Sequence, residues 1–311
     1  MKILLLIVAA LLLIPAALYL LAPQVLLNAA RNMLRRKGGM VEKWITVDGL
    51  TWPYLEGGDP TGEVVVLVHG FGGDKDNWSF YAPYLTSKYR LICPDLPGFG
   101  ENTRDPAGDY AGTKQAERLG QFLTALGVER CHLGGNSMGG YIALLFALAQ
   151  PTKLRSLTLF NNAGVAGTAP SKLEQIVIAD AAASPLVPHS VAEMKQLLTF
   201  VVHRSRYVPS RFLDVMYGEM APHQALLDAI FVQLLDDIQN HPLNDRLGEV
   251  AVPTQIIWGR YDQLIDVSCA QVQHDGIKGS ELVVLDDVGH VPMIEQPALT
   301  AQHHLGFLAK H

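Results

Sequence analysis

Leu133-Gly134-Gly135-Asn136-Ser137-Met138-Gly139-Gly140 is the stretch on which the reading of this chain turns. A short apolar run, Cys131-His132-Leu133, precedes it, and residues 141–149, rich in Ala and Leu, follow it. Strand, sharp turn and helix are therefore expected in that order. Gly135-Asn136-Ser137-Met138-Gly139 fits the G-x-S-x-G nucleophile elbow. A serine at the tip of so tight a turn is held in a strained backbone conformation. Side chains two residues to either side would collide, which accounts for Gly135 and Gly139. The hydroxyl is left exposed, and the backbone N–H of Met138 points at the same spot. An ordinary glycine-rich turn could carry the same five residues, so the rest of the chain must decide.

Composition sets the frame. The chain has 311 residues, 49% hydrophobic and only 17% charged, which suits a sizeable core plus a membrane segment. A formal net charge of −6 is too mild to imply nucleic acid, and no long charged run lies beyond residue 40. The three cysteines, Cys93, Cys131 and Cys269, fit no metal or redox spacing. Cys93 and Cys131 sit in apolar, strand-like runs, where cysteine behaves as a small hydrophobe.

Residues 3–22 carry no charge. At about 1.5 Å per residue, roughly 20 residues span about 30 Å of hydrocarbon, so a retained transmembrane helix is expected. A cleaved signal peptide is the rival, but the run is long for one and no A-x-A site follows it. Residues 24–37 differ. Leu26, Leu27, Ala30, Met33 and Leu34 recur at helical spacing, with Asn28, Arg31, Asn32, Arg35 and Arg36 on the other face. A basic amphipathic helix beside a membrane span is expected to lie along anionic headgroups. The rival is a solvated linker helix. Gly38-Gly39 ends it and opens the globular domain, 40–311. Membrane lipids are thus the expected environment, and the two helices offer a surface for a homodimer. A literal count of basic residues, Lys2 before the span against Arg31, Arg35, Arg36 and Lys37 after it, would put the domain in the cytoplasm.

The globular domain begins with a hairpin around Asp48-Gly49. Val64-Val65-Val66-Leu67-Val68 then reads as a strand buried on both faces of a parallel sheet. Further strands are expected at 91–93, 131–133, 157–160, 254–258 and 282–285, alternating with helices near 77–87, 111–126, 141–149 and 298–309. The expected fold is α/β, a mostly parallel sheet flanked by helices with an antiparallel start. Ligands of such sheets bind outside the carboxyl ends of the strands. A helical lid, about 163–248, interrupts the alternation between two strands, punctuated by Pro185, Pro188, Pro209, Pro222 and Pro242.

A serine nucleophile needs a base, an orienting acid and an oxyanion hole. His290 follows the last strand and is the expected base. Asp262 follows the strand before it, in the chain order Ser…Asp…His, and is the expected acid; Asp266 is its rival. Asn161 and Asn162 end the preceding strand and cannot serve as carboxylates. Phe71 and Met138 are expected to supply the two oxyanion-hole N–H groups, and His69 to shape the first of those loops rather than transfer protons. His132 is expected in the core. No HExxH or other ligand spacing is present, so neither a metal nor a cofactor is expected.

The elbow, His69-Gly70, Asp95-Leu96-Pro97-Gly98-Phe99-Gly100, Trp258-Gly259 with Asp262, and Gly289-His290 together resemble the α/β-hydrolase superfamily over about residues 42–310. Within it, residues 69–78 and 135–140 resemble membrane-anchored bacterial lipases and phospholipases A, and single-span monoacylglycerol lipases. The resemblance implies a carboxylic-ester hydrolase acting on acyl lipids through an acyl-enzyme on Ser137. In the bacterial relatives it also implies an inner-membrane anchor with the domain on the periplasmic side, and that side is adopted here despite the charge count. Phe200, Val201, Val202, Phe212, Met216, Ile230 and Phe231 are candidates for an acyl pocket or for the lid's own core. Carbon–carbon bond hydrolases of diketone-type acids share Gly-Asn-Ser-Met-Gly-Gly but carry a tryptophan after the catalytic histidine, where this chain has Val291. An acyltransferase, and a non-catalytic receptor on the same fold, are the remaining alternatives.

Overall fold

A computed structural model describes residues 13–179, 185–204 and 208–311. Its centre is one eight-stranded sheet, in the spatial order β1-β2-β4-β3-β5-β6-β7-β8. The strands are β1 (Val41–Val47), β2 (Leu50–Gly57), β3 (Val64–Val68), β4 (Arg90–Pro94), β5 (Cys131–Asn136), β6 (Leu154–Phe160), β7 (Thr254–Gly259) and β8 (Glu281–Leu285). β2 is antiparallel to both its neighbours, and every other pair is parallel. Asp48 and Gly49 both take positive φ, 50° and 77°, as a two-residue Asp-Gly hairpin turn requires.

β3 shows why the sheet is covered on both sides. Val66 and Val68 enter one hydrophobic cluster, and Val65 and Leu67 the other. A strand alternates its side chains between faces, so an unbroken apolar run must have a core on each. In chain order the helices are α1 (Leu13–Leu21), α2 (Pro23–Lys37), α3 (Ala82–Leu85), α4 (Gly112–Ala125), α5 (Met138–Ala149), α6 (Lys172–Ala179), α7 (Val191–Val201), α8 (Ser210–Met220), α9 (Gln224–Asn240), α10 (Ser268–Gly276), α11 (Pro292–Glu295) and α12 (Pro297–Leu308). α5 is buried from Met138 through Ala147, as an all-round apolar helix behind the elbow should be. The helix expected over 77–87 is a 3₁₀ turn, Lys75–Trp78, followed by the short α3, whose Pro83 fits only a first turn. Helices α6–α9 form the insertion between β6 and β7.

At the amino terminus the first half of the expected span, 3–22, lies outside the described residues. Its remainder, α1, is bent by 110° from α2, and among the described residues no single helix is long and apolar enough to cross a membrane. Leu13 and Leu21 are 66% and 85% exposed. α2 is helical where periodicity placed a helix, and Gly39, at φ 61°, closes it with Met40 N–H donating to Arg35 O at 2.8 Å. Part of its basic face turns to the protein. Arg31 grips Glu219 of α8 through two bonds of 2.9 and 2.7 Å, and Arg35 grips Asp76 through two of 2.7 and 2.6 Å. Only Arg36 and Lys37 stay exposed. Helical periodicity shows which residues share a face; it cannot show carboxylates brought in from elsewhere in the chain.

Candidate active site

Ser137 stands between β5 and α5 with φ 54° and ψ −122°, a conformation costly for any residue with a Cβ. Two close approaches impose it. A Cβ on Gly135 would overlap the backbone of Gly139, and one on Gly139 would overlap the carbonyls of Val68 and His69 at the end of β3 and just after it. The turn is pinned besides: Ser137 N–H donates to Phe160 O at 3.1 Å, and Ser137 O accepts from Ala163 N–H at 3.0 Å.

His290 and Asp262 are brought together. His290 Nδ1 lies 2.8 Å from Asp262 Oδ2. The Asp262 side chain is 0% exposed. Its Oδ1 accepts from Leu264 N–H and Ile265 N–H at 2.8 and 3.1 Å, and Oδ2 also accepts from Asn161 Nδ2 at 2.7 Å. Four donors suit an acceptor-only, ionised carboxylate, and each charge-assisted bond contributes about 1.5–3 kcal/mol. With Nδ1–H given to Asp262, Nε2 of a neutral ring is the free acceptor. Ser137 and His290 are joined through Asn136, whose Nδ2 donates to both Phe160 O and His290 O at 3.0 Å. Neither Ser137 Oγ nor His290 Nε2 makes a hydrogen bond with a described residue. Asp266 is not brought to the histidine: its Oδ1 accepts from Ser268 N–H at 2.9 Å, at the start of α10. Asp286 and Asp287 form exposed ion pairs with Arg260 and Arg204.

The loop after β3 is held by His69. The buried ring donates from Nδ1 to Gly70 O at 2.8 Å and accepts Leu96 N–H on Nε2 at 3.0 Å. Those partners fix one neutral tautomer, and burial, ahead of the opposing pull of Asp95, depresses its pKa. The ring therefore joins two strand-end loops. Phe71 sits in this loop with its ring edge-on to Phe99 and Phe231, at 5.5 and 5.4 Å. Among the described residues, the N–H groups of Phe71 and Met138 have no hydrogen-bond acceptor. The positive end of α5 adds its field at Met138.

Three residues were not legible as part of this site. Asn161, which cannot itself be the acid, donates to the Asp262 carboxylate. Asn136 ties the elbow to the histidine loop. Glu295 accepts from Gly289 N–H and Val291 N–H through Oε1, at 2.8 and 3.3 Å, so it flanks His290 on both sides. The one available signal was position: Asn161 ends a parallel strand on the edge where ligands bind. Of the residues named for an acyl pocket, Ile230 and Phe231 belong to the main core, and Phe200 lies beneath the ammonium of Lys172. A cavity of about 350 Å³ opens elsewhere in the insertion, lined by Leu173, Val177, Ile178 and Leu235 among others.

A parallel sheet with a serine on a strained strand–helix turn, and a histidine–carboxylate pair on later strand-end loops, defines the serine-hydrolase class of α/β folds. The alpha/beta hydrolase fold model matches residues 63–297, and the chain belongs to that family as an ester hydrolase. It is 31% identical over 283 residues to the monoacylglycerol lipase abhd6-B of Xenopus laevis, covering 88% of this chain and 84% of the relative. It is 32% identical over 309 residues to Lipase 3 of Moraxella sp. (strain TA144), covering 96% of each. Among solved structures it superposes on a membrane phospholipase A described as a bacterial virulence factor, with a TM-score of 0.88 and 37% identity, over 100% of this chain and 99% of that one.

Proposed function

We propose that this chain hydrolyses acyl esters of lipids at a membrane surface, through an acyl-enzyme on Ser137. His290 Nε2 takes the Ser137 proton as Oγ attacks the ester carbonyl. The resulting oxyanion is held by the N–H groups of Phe71 and Met138. His290⁺ is stabilised by Asp262 and gives its proton to the departing alcohol. Water, activated by the same nitrogen, then attacks the acyl carbonyl and releases the fatty acid. The observation that carries this reading is the 2.8 Å His290–Asp262 bond, on a histidine loop tied by Asn136 to a serine at φ 54°. The missing Ser137–His290 bond fits a resting enzyme, since such bonds often tighten only with substrate.

The lipid class comes from the relatives named above, together with the exposed apolar surface of α1 and α2, where Leu13, Ile14, Leu20, Leu21, Val25 and Met33 all face out. A single anchor over 3–22 keeps the enzyme beside a nearly insoluble substrate and raises its effective concentration. Helices α6–α9 act as a lid. The domain faces the periplasm from the inner membrane, as the family resemblance implies.

A fluorophosphonate probe and a panel of monoacylglycerol, triacylglycerol and phospholipid in detergent test the reading. Wild type is expected to label and to release fatty acid, and Ser137→Ala to fold but do neither, with turnover down by more than about 10⁴-fold. Labelling that survives the substitution would refute the nucleophile. Turnover of soluble esters with no lipid accepted would refute the substrate class. Deleting residues 1–22 should release the protein from membranes; a fully soluble wild type would remove the anchor. A carboxyl-terminal alkaline phosphatase fusion should be active if the domain is periplasmic, and silent if it is cytoplasmic.

A further inference from the structure

The oxyanion loop continues directly into Asp74-Lys75-Asp76, and these three residues lie in the densest charge cluster near the site. Lys75 is only 2% exposed. Its backbone N–H donates to Asp95 Oδ1 at 2.7 Å, and its Nζ reaches Asp95 Oδ2 at 2.9 Å, Glu101 Oε2 at 2.7 Å and Glu42 Oε1 at 3.1 Å. Asp95, itself fully buried, also accepts Glu101 N–H at 2.9 Å. Loop residues 70–73 are thus anchored upstream by His69 and downstream by Lys75. Gly73 N–H, donating to Gly70 O at 3.1 Å, closes the turn between the two anchors.

The second downstream anchor comes from outside the sheet. Arg35, in the last turn of α2, lays its fork on Asp76, with Nε on Oδ1 at 2.7 Å and Nη2 on Oδ2 at 2.6 Å. Its Nη1 lies 3.1 Å from Glu42 Oε2, so one guanidinium joins β1 to the oxyanion loop. The Arg35 side chain is 16% exposed, and that of Asp76 14%. Solvent screening is limited there, so the fork is worth more than an open surface pair. Arg35 and Lys75, with Arg31 and Arg104 nearby, face five carboxylates: Glu42, Asp74, Asp76, Asp95 and Glu101. Burial, followed by the charges of Asp95 and Asp76, pushes the Asp74 carboxyl up to about 6, as expected where negative charge is in excess. Removing Arg35 would strip Asp76 of its fork and leave Glu42 with Lys75 alone, so the loop would keep its Lys75–Asp95 anchor and lose the second one.

We infer that Arg35 is a positioning residue for ester hydrolysis: through Asp76 it fixes the loop that presents the Phe71 N–H, which makes helix α2 part of the catalytic apparatus as well as of the membrane anchor. This rests on the serine-hydrolase reading of Ser137 and on Phe71 as an oxyanion donor. The geometry explains why a helix beside a membrane span should aim its two partly buried arginines at the protein. Arg31 of the same helix holds Glu219 of α8, whose next residue, Met220, places its Cε where a side chain on Gly72 of the oxyanion loop would touch it. A change at α2 therefore reaches the loop from two directions.

The test uses the full-length chain in detergent with a water-soluble short-chain p-nitrophenyl ester, so that membrane contact plays no part. Wild type is first shown to turn over and to label with the fluorophosphonate; if it does neither, the hydrolase reading itself has failed. Arg35→Ala is expected to lower kcat about 10- to 100-fold with KM within about twofold, since misplacing an oxyanion donor acts on the transition state. A trifluoromethyl ketone, whose hemiketal oxyanion occupies the same hole, should lose affinity by the same factor. Arg35→Lys should recover part of kcat, because a lysine keeps the charge and loses the fork. Asn32→Ala, on the exposed face of the same helix, should match wild type. If Arg35→Ala does not fold, Arg35→Lys carries the test with an intermediate kcat loss. A folded Arg35 variant with kcat and ketone affinity unchanged overturns the inference, whatever happens on vesicles. So does a loss confined to KM.

Discussion

Two regions meet over Ser137, and they are built on opposite terms. On the sheet side, α5 buries ten successive residues, Met138 through Ala147, and α4 buries seven of its own. Asp262 there has four hydrogen-bond donors, His290 is held by Asp262 and Asn136, and the backbone of Ser137 is bonded to Phe160 and Ala163. On the insertion side, α7 and α8 bury one residue each, Met194 and Leu213. α8 is held from outside by the Arg31–Glu219 pair, whose side chains are 31% and 39% exposed. The contrast teaches a division of labour. Chemistry needs atoms fixed to fractions of an ångström, so it sits where packing and hydrogen bonds over-determine position. If the insertion is the proposed lid, α7 and α8 are the helices that can part at small cost, while α9, with four buried residues, stays with the core.

The strongest way to break the comparison is at the acid. Asp262→Asn should cut kcat by about 10⁴-fold, because it presents an N–H or a neutral oxygen to an imidazole that needs a carboxylate. Asp266→Asn should leave kcat near wild type, since that side chain serves α10. If the two results are exchanged, the rigid half has been drawn around the wrong residue. Next in size is Asn161→Ala, expected to lower kcat about tenfold by leaving Asp262 Oδ2 with His290 as its one donor while KM holds; an unchanged kcat would mean that three donors suffice.

The insertion side should answer differently. Glu219→Ala releases α8 from Arg31, and because the pair is partly exposed its cost to global stability should stay within about 1 kcal/mol. Amide exchange in α8 should nevertheless quicken while α5 stays protected. If both helices quicken together, the two regions are one cooperative unit and the contrast fails. The smallest effect is on pH dependence, and it falls on the sheet side. Burial depresses the pKa of His69, takes that of His132 to about 4, and that of His304 to about 3. Unfolded, each titrates near 6.5. Below that value the unfolded chain binds more protons, so this stability is fully present above about pH 6.5 and drains away toward pH 3–4. Asp74, raised to about 6, works in the opposite sense: it remains protonated in the fold after the unfolded carboxyl has ionised, and it offsets part of the loss between about pH 4 and 6. Burial also lowers the pKa of His223 and raises that of Glu295, so four histidines against two carboxylates predict a lower Tm at pH 5 than at pH 7.5; an equal or higher Tm would show that these histidines are not held neutral.

What the linear chain made legible followed periodicity and local sterics. The unbroken run 64–68 required a strand covered on both faces. Asp48-Gly49 required a hairpin. Gly135 and Gly139 required a turn too tight for a Cβ, and the order of Ser137, Asp262 and His290 limited which strand ends could meet. These are properties of neighbours, and the sequence states neighbours directly. It could not show that Asn161 would serve Asp262, that Asn136 would bind His290 O, or that Glu295 would flank the histidine. Each is a polar residue whose type suits many tasks, and its partner is chosen only when distant loops converge on one sheet edge. The same holds for α2. Its amphipathic pattern was plain, but a guanidinium goes to whichever carboxylate or headgroup lies nearest once the chain is folded. Folding put Asp76 and Glu219 there, because charge-assisted forks in partly dry sites outweigh what water or a screened surface can offer.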